Sequence, residues 1–176
     1  MTPRSKTQRM TIFTLLLAMS ILLNMIEPGV PIPGVPGVKF GLANTLGLIV
    51  LYMFGEKSFI QLGILRVLFS TLLRGIFLGI GFWLSLCGVL LSSLVVMLLK
   101  RITKMSPIGL SVGSATFHNI GQILALVFII RSWGMIYWLP LMLLTGIPTG
   151  IITGMVSKMI LTRFKKWRTH DYELHI

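Results

Sequence analysis

Residues 76–99 read IFLGIGFWLSLCGVLLSSLVVMLL, 24 positions without a charged side chain, framed by Arg74 before and Lys100 and Arg101 after. About 20 consecutive apolar residues suffice for a helix to cross the hydrocarbon core of a bilayer. The run is continuous and lacks period-two alternation, which argues for a helix and against a barrel strand. Working outward, apolar segments recur at 10–26, 40–54, 58–73, 107–130 and 136–162. The sequence therefore predicts an all-α integral membrane protein, a compact bundle of six transmembrane helices. The boundary near Arg74 and Gly75 is the least marked, and one long kinked helix across it is the competing reading.

Composition agrees with this reading. Of the 176 residues, 55% are hydrophobic and 11% charged, where a soluble domain carries about a quarter charged residues. The formal charge of +12 invites a nucleic-acid partner. The bases lie at segment ends, however, where they set membrane topology, so no nucleic acid is expected. With the N-terminus inside, twelve bases gather on the cytoplasmic side, among them Arg4, Arg9, Lys57, Lys100 and Lys158. Only Lys39, Arg74 and Arg131 lie outside, and Arg66 falls within a span. A multi-pass protein of the cell membrane with both termini cytoplasmic is expected. Its parts are a cytoplasmic segment at 1–9, a six-helix domain at 10–162 with a Pro-rich outer loop at 27–39, and a basic tail at 163–176. The tail reads as a frayed helix end whose bases touch anionic lipid. The basic start resembles a signal peptide, but the apolar stretch is long and no small-x-small site follows, so it reads as an uncleaved first helix. One cysteine, Cys87, excludes an internal disulfide framework or a Cys-based metal site. Two of the three histidines, His170 and His175, sit in the tail. No metal and no cofactor is expected.

Membrane helices pack through small residues. The last segment carries Gly146, Gly150 and Gly154 at four-residue spacing, beside Thr145, Thr149, Thr153 and Ser157. The fourth carries Ser85, Gly88 and Ser92 on one face. The fifth is the most informative. Ser111, Ser114, Ala115, His118, Gly121 and Gln122 share one small, polar face. Leu110, Val112, Ile123 and Leu124 make up a lipid-like remainder. Asn119 points elsewhere and is expected to bind a neighbouring backbone. Arg66 lies in the body of the third segment, where lipid exposure costs from about 3 to more than 10 kcal/mol. It is therefore expected to face the bundle, a wet cavity or an anion, unless it snorkels.

The first segment places Ser20, Asn24 and Glu27 on one rising stripe. The stretch NMIEPGVPIPGVPGVKFGLANTLG, 24–47, follows it with four of the eight prolines and the lone Lys39. Proline stiffens such a strap and glycine lets it turn. An ion pair between Glu27 and Lys39 is expected across its ends. These residues suggest a substrate-binding site without catalytic residues. Arg66, Ser114, His118 and Gln122 would form its floor, and Asn24, Glu27, Lys39 and Asn44 its upper rim. Arginine and lysine only donate hydrogen bonds, which points to an anionic or carbonyl-bearing ligand.

Three blocks carry a resemblance: PGVKFGLANTLGLIVLYMFG at 36–55, LRVLFSTLLRG at 65–75 and HNIGQ at 118–122. They resemble the bacterial Gx transporter family, also called heptaprenyl diphosphate synthase component I, over roughly residues 10–160. That family looks related to the substrate-binding S components of energy-coupling-factor vitamin transporters. The resemblance implies a six-helix fold with an outer pocket capped by the loop after the first helix. It also implies partner subunits, either an energy-coupling module or an electron-transfer partner, membrane-bound or lipoprotein. S components dock through a small-xxx-small pattern on the first helix, which only Thr14 and Ala18 approach here. Members resembling this chain also occur in flavin-based extracellular electron transfer, linked to a quinone. The expected function is a small-molecule-binding or transport subunit. The alternative is an accessory subunit in isoprenoid quinone synthesis or quinone-linked electron export. Prenyl transfer needs aspartate-rich motifs that hold magnesium on a diphosphate. The four acids, Glu27, Glu56, Asp171 and Glu173, form no DDxxD arrangement. The chain would be at most a non-catalytic component of such a synthase.

Overall fold

The computed structural model describes residues 6–27 and 41–173, with side chains through residue 164. These residues form six α-helices and a short 3-10 turn, with no strand among them. The helices are α1 (Lys6–Ile26), α2 (Leu42–Phe54), α3 (Glu56–Leu73), α4 (Ile80–Ile102), α5 (Pro107–Ile130) and α6 (Leu139–Glu173). The 3-10 turn, Trp133–Trp138, links α5 to α6. By length and composition α1, α4, α5 and the stretch 133–164 can cross a membrane. α3 has 18 residues but carries Glu56, Lys57 and Arg66, and α2 has only 13.

The boundary at Arg74 separates two helices and excludes the single kinked one. Gly75 (φ 69) and Leu78 (φ 61) both take the left-handed conformation, which a right-handed helix cannot absorb. α4 accordingly starts at Ile80, four residues later than the apolar run suggests. At the other end, α6 continues as helix to Glu173, through the tail expected to fray.

The short α2 is the hub. Nine of its 13 residues are buried, the all-round burial of a central helix. Leu48 and Leu51 join Phe59, Val96 and Leu110 in one cluster, while Val50 and Phe54 join Leu62 against Phe13 and Leu16 of α1. Leu110, expected on a lipid-like side of α5, is fully buried because that side meets α2 instead.

At 1.5 Å per residue α2 is about 20 Å long, against about 30 Å of hydrocarbon. Within a bilayer its terminal backbone groups would lie beyond the reach of water, and neighbouring helices supply their partners. At the N-terminus the Glu27 carboxylate accepts from the backbone N–H of Leu42 and of Ala43. At the C-terminus Arg9 donates to the Phe54 carbonyl (3.2 Å) and Lys100 to the Leu51 carbonyl (3.3 Å). The signs match the helix dipole, negative at the N-terminus and positive at the C-terminus. Arg9 also sits 5.7 Å from the Phe54 ring centre, and Lys100 5.1 Å from that of Tyr52.

α5 packs most closely against α4 and α6. The three glycines of α6 make that approach possible. A Cβ at Gly150 would stand 2.9 Å from the Val112 Cα, and one at Gly154 2.7 Å from the Ile108 Cα. The Ser111 and Thr153 hydroxyls hydrogen-bond at 2.9 Å between those two points.

Candidate binding cavity

A cavity of about 320 Å³ lies among α1, α2, α3, α4, α5, the 3-10 turn and α6. Six of the eight expected site residues line it: Asn24, Glu27, Asn44, Arg66, His118 and Gln122. Ser114 instead lines a void of about 10 Å³ that it shares with Asn44 and Arg66. Lys39, and with it the expected Glu27–Lys39 pair, lies outside the described residues. Glu27 has a different role that sequence did not suggest. It is 4% exposed and holds the start of α2 to the end of α1.

Arg66 is 6% exposed and does not snorkel. Its Nη2 donates to the Asn44 Oδ1 at 3.1 Å. Its Nε is buried with no hydrogen-bond partner among the described residues. Glu27 is close enough to act on it electrostatically. A buried donor left unpaired costs about 1–3 kcal/mol, more when the group is charged. The part of the guanidinium that borders the cavity can donate to an acceptor brought in from outside.

His118 and Gln122 owe their position to two glycines. A Cβ on Gly88 would lie 2.8 Å from the His118 Cε1 and 3.0 Å from the Gln122 Cγ. A Cβ on Gly121 would lie 2.8 Å from the Cys87 carbonyl oxygen and 2.9 Å from the Gly88 Cα. α4 and α5 thus cross backbone to backbone, and the two polar side chains drape over the gap. Asn119 donates to the Met142 carbonyl at 2.7 Å, the neighbouring backbone bond expected for it.

The α6 wall has the opposite hydrogen-bonding character to Arg66. Thr145, Thr149 and Thr153 line the cavity, and each gives its hydroxyl proton to a carbonyl of its own helix. What remains for the cavity is oxygen lone pairs. Sequence reading noted this threonine stripe but assigned it to packing. It missed the apolar wall altogether: Leu126, Met135, Trp138, Leu141 and Met142. Part of that wall comes from the 3-10 turn, WGMIYW, whose aromatic density at a helix–helix connection was the available signal.

The sequence matches the family described as heptaprenyl diphosphate synthase component I over residues 16–160. The match runs from the middle of α1 to α6 and covers every cavity-lining residue. Neither a curated protein nor a solved structure matches it. The chain belongs to the heptaprenyl diphosphate synthase component I family.

Proposed function

We propose that this chain is a membrane-embedded binding subunit that takes a small anionic or carbonyl-bearing molecule from the outer face. The observation that carries the proposal is Arg66, a buried guanidinium that lines the cavity and whose Nε has no hydrogen-bond partner among the described residues. The cavity volume of about 320 Å³ falls at the small end of ligand sites, which span about 300–1,000 Å³. That suits a compact molecule of vitamin size. Charge asymmetry supports the orientation, with twelve bases on one side and three on the other. Trp133 and Tyr137, both strongly exposed in the turn that lends Met135 and Trp138 to the cavity, fit an interfacial aromatic belt. The likeness to S components and a role in transport belong to this proposal, as do partner subunits such as an energy-coupling module.

A second reading takes the family description at its word: an accessory subunit of prenyl diphosphate synthesis. The apolar wall of Met135, Trp138 and Leu141 favours it, since a prenyl tail could lie there with its diphosphate toward Arg66. A long prenyl chain would have to leave such a cavity between helices. The chain offers no aspartate-rich pair for magnesium, so any catalysis would belong to a partner subunit.

Purification in mild detergent, followed by mass spectrometry of co-purified small molecules, tests both. The wild type should carry a ligand that Arg66→Ala and His118→Ala lose. A compact polar ligand supports uptake and a prenylated one supports the synthase reading. Equal occupancy of one ligand in all three proteins would refute the site.

A further inference from the structure

We propose that the cavity is one arm of a two-armed site, whose ligand is elongated and carries an acceptor group, carboxylate, phosphate or carbonyl, at each end. One end would be held by Arg66 and the other by Arg74. The inference rests on the reading of the cavity as a ligand site and specifies the ligand's shape and chemistry.

A second pocket, of about 210 Å³, adjoins the first between the outer ends of α1, α3 and α4. Asn24, Val67, Ser85 and Gln122 line both pockets; in the proposed site they form the waist of one chamber. Of these two pockets, Arg66 lines the first and not the second, and Arg74 the second and not the first. Arg66 lies in α3 and Arg74 caps the C-terminal end of that helix, eight residues on, which is about 12 Å along the helix axis. Arg74 gives one N–H to the Asn24 carbonyl, and most of the guanidinium's five donors remain for a ligand.

Carboxylates are scarce around this chamber. Of the four acids, Glu56 begins α3 at the opposite end, and Asp171 and Glu173 end α6. Glu27 remains, and its carboxylate already holds the Leu42 and Ala43 N–H groups. Arg74 has no ion-pair partner among the described residues. No carboxylate lines the second pocket. A cation left without its own counter-ion in a concave site is a place for an anion or carbonyl from outside. Beyond the waist Ile76 and Leu84 supply apolar surface beside the hydroxyls of Ser70 and Thr71, a mixed wall that admits an alkyl spacer between the ligand's ends. Gly81 keeps the space open, since a Cβ there would touch only the Ile76 Cδ1, at 3.6 Å.

Straight-chain α,ω-dicarboxylates serve as molecular rulers, titrated against the purified protein in mild detergent at neutral pH. Apparent affinity should peak at about eight to twelve carbons, the length that bridges roughly 12 Å. The ω-amino acid of the best length has a cation at one end and should bind about tenfold more weakly. Arg74→Gln should flatten the length dependence. Gly81→Leu fills the second pocket without touching Arg74 and should reject long members while sparing short ones. Arg66→Gln should weaken the whole series. If Arg74→Gln and Gly81→Leu both bind the series as the wild type does, the two-armed site is overturned while a one-point site at Arg66 stands. If no dicarboxylate of any length binds the wild type, the anion-binding reading of the cavity falls, and the two-armed site with it.

Discussion

Replacing Gly154 by alanine adds one carbon at the tightest point of the α5–α6 crossing. That carbon would stand 2.7 Å from the Ile108 Cα and 2.9 Å from the Ser111 Cβ. Ordinary contact begins at 3.4 Å, so the helices must separate locally by at least 0.7 Å (3.4 minus 2.7). Both obstructing atoms belong to the frame of α5, and no rotamer change moves them aside. Overpacking of this kind costs about 1–3 kcal/mol. The same shift would stretch the Ser111–Thr153 hydrogen bond from 2.9 Å beyond useful range, adding about 0.5–1.5 kcal/mol. At about 2–4 °C per kcal/mol for a chain of this size, Tm should fall by about 3–18 °C. The assay is a fluorescence melt in mild detergent, with Gly109→Ala as control. There the added carbon meets only the flexible Met105 side chain, at 3.7 Å, and Tm should hold or rise by a few degrees, since alanine is the better helix former. If Gly154→Ala melts like Gly109→Ala, the close crossing is wrong, and with it the depth at which α5 presents His118 and Gln122.

Gly88→Ala makes a useful contrast. The added carbon meets the His118 ring and the Gln122 side chain, 2.8 and 3.0 Å away, rather than backbone. Tm should drop less than for Gly154→Ala, while co-purified ligand measured by mass spectrometry should fall clearly; unchanged occupancy would separate those two side chains from binding. Glu27→Ala strips the start of α2 of its acceptor at a cost of about 1–3 kcal/mol. Amide hydrogen exchange at Leu42 and Ala43 should speed up accordingly. Glu27→Gln, which keeps an oxygen but not the charge, should recover part of the protection, and no change in either variant would contradict the cap.

The helices were legible because apolar length is a local property. Segment 107–130 coincides with α5, and 58–73 ends with α3 at Leu73. The same locality misplaced the start of α4, since the residues from 76 are apolar enough for a helix yet are held out of one by backbone turns at Gly75 and Leu78. Small-residue spacing showed that α6 packs closely, without naming α5 as its partner. The candidate site was partly legible for the same reason. Buried polar side chains in lipid are costly, so Arg66, His118 and Gln122 stand out in any apolar run.

Their convergence was another matter. Ser114 shares a helical face with His118, yet it lies in a small void apart from the main cavity, because Arg66 and Asn44 border both spaces. Glu27 looked like half of a surface ion pair. It became the cap of a helix that starts 15 residues later, a partnership that exists only once α1 and α2 stand side by side. Arg74 looked like a topological marker until the packing of α1, α3 and α4 gave it a pocket. Chain composition alone determined that this protein lives in a bilayer as helices, because transfer from water to hydrocarbon depends on side chains taken one by one. Which polar groups meet, and whether their hydrogen-bonding capacity is used up or left over for a ligand, was decided by the tertiary structure, because those bonds depend on atoms brought within about 3 Å by the packing of different helices.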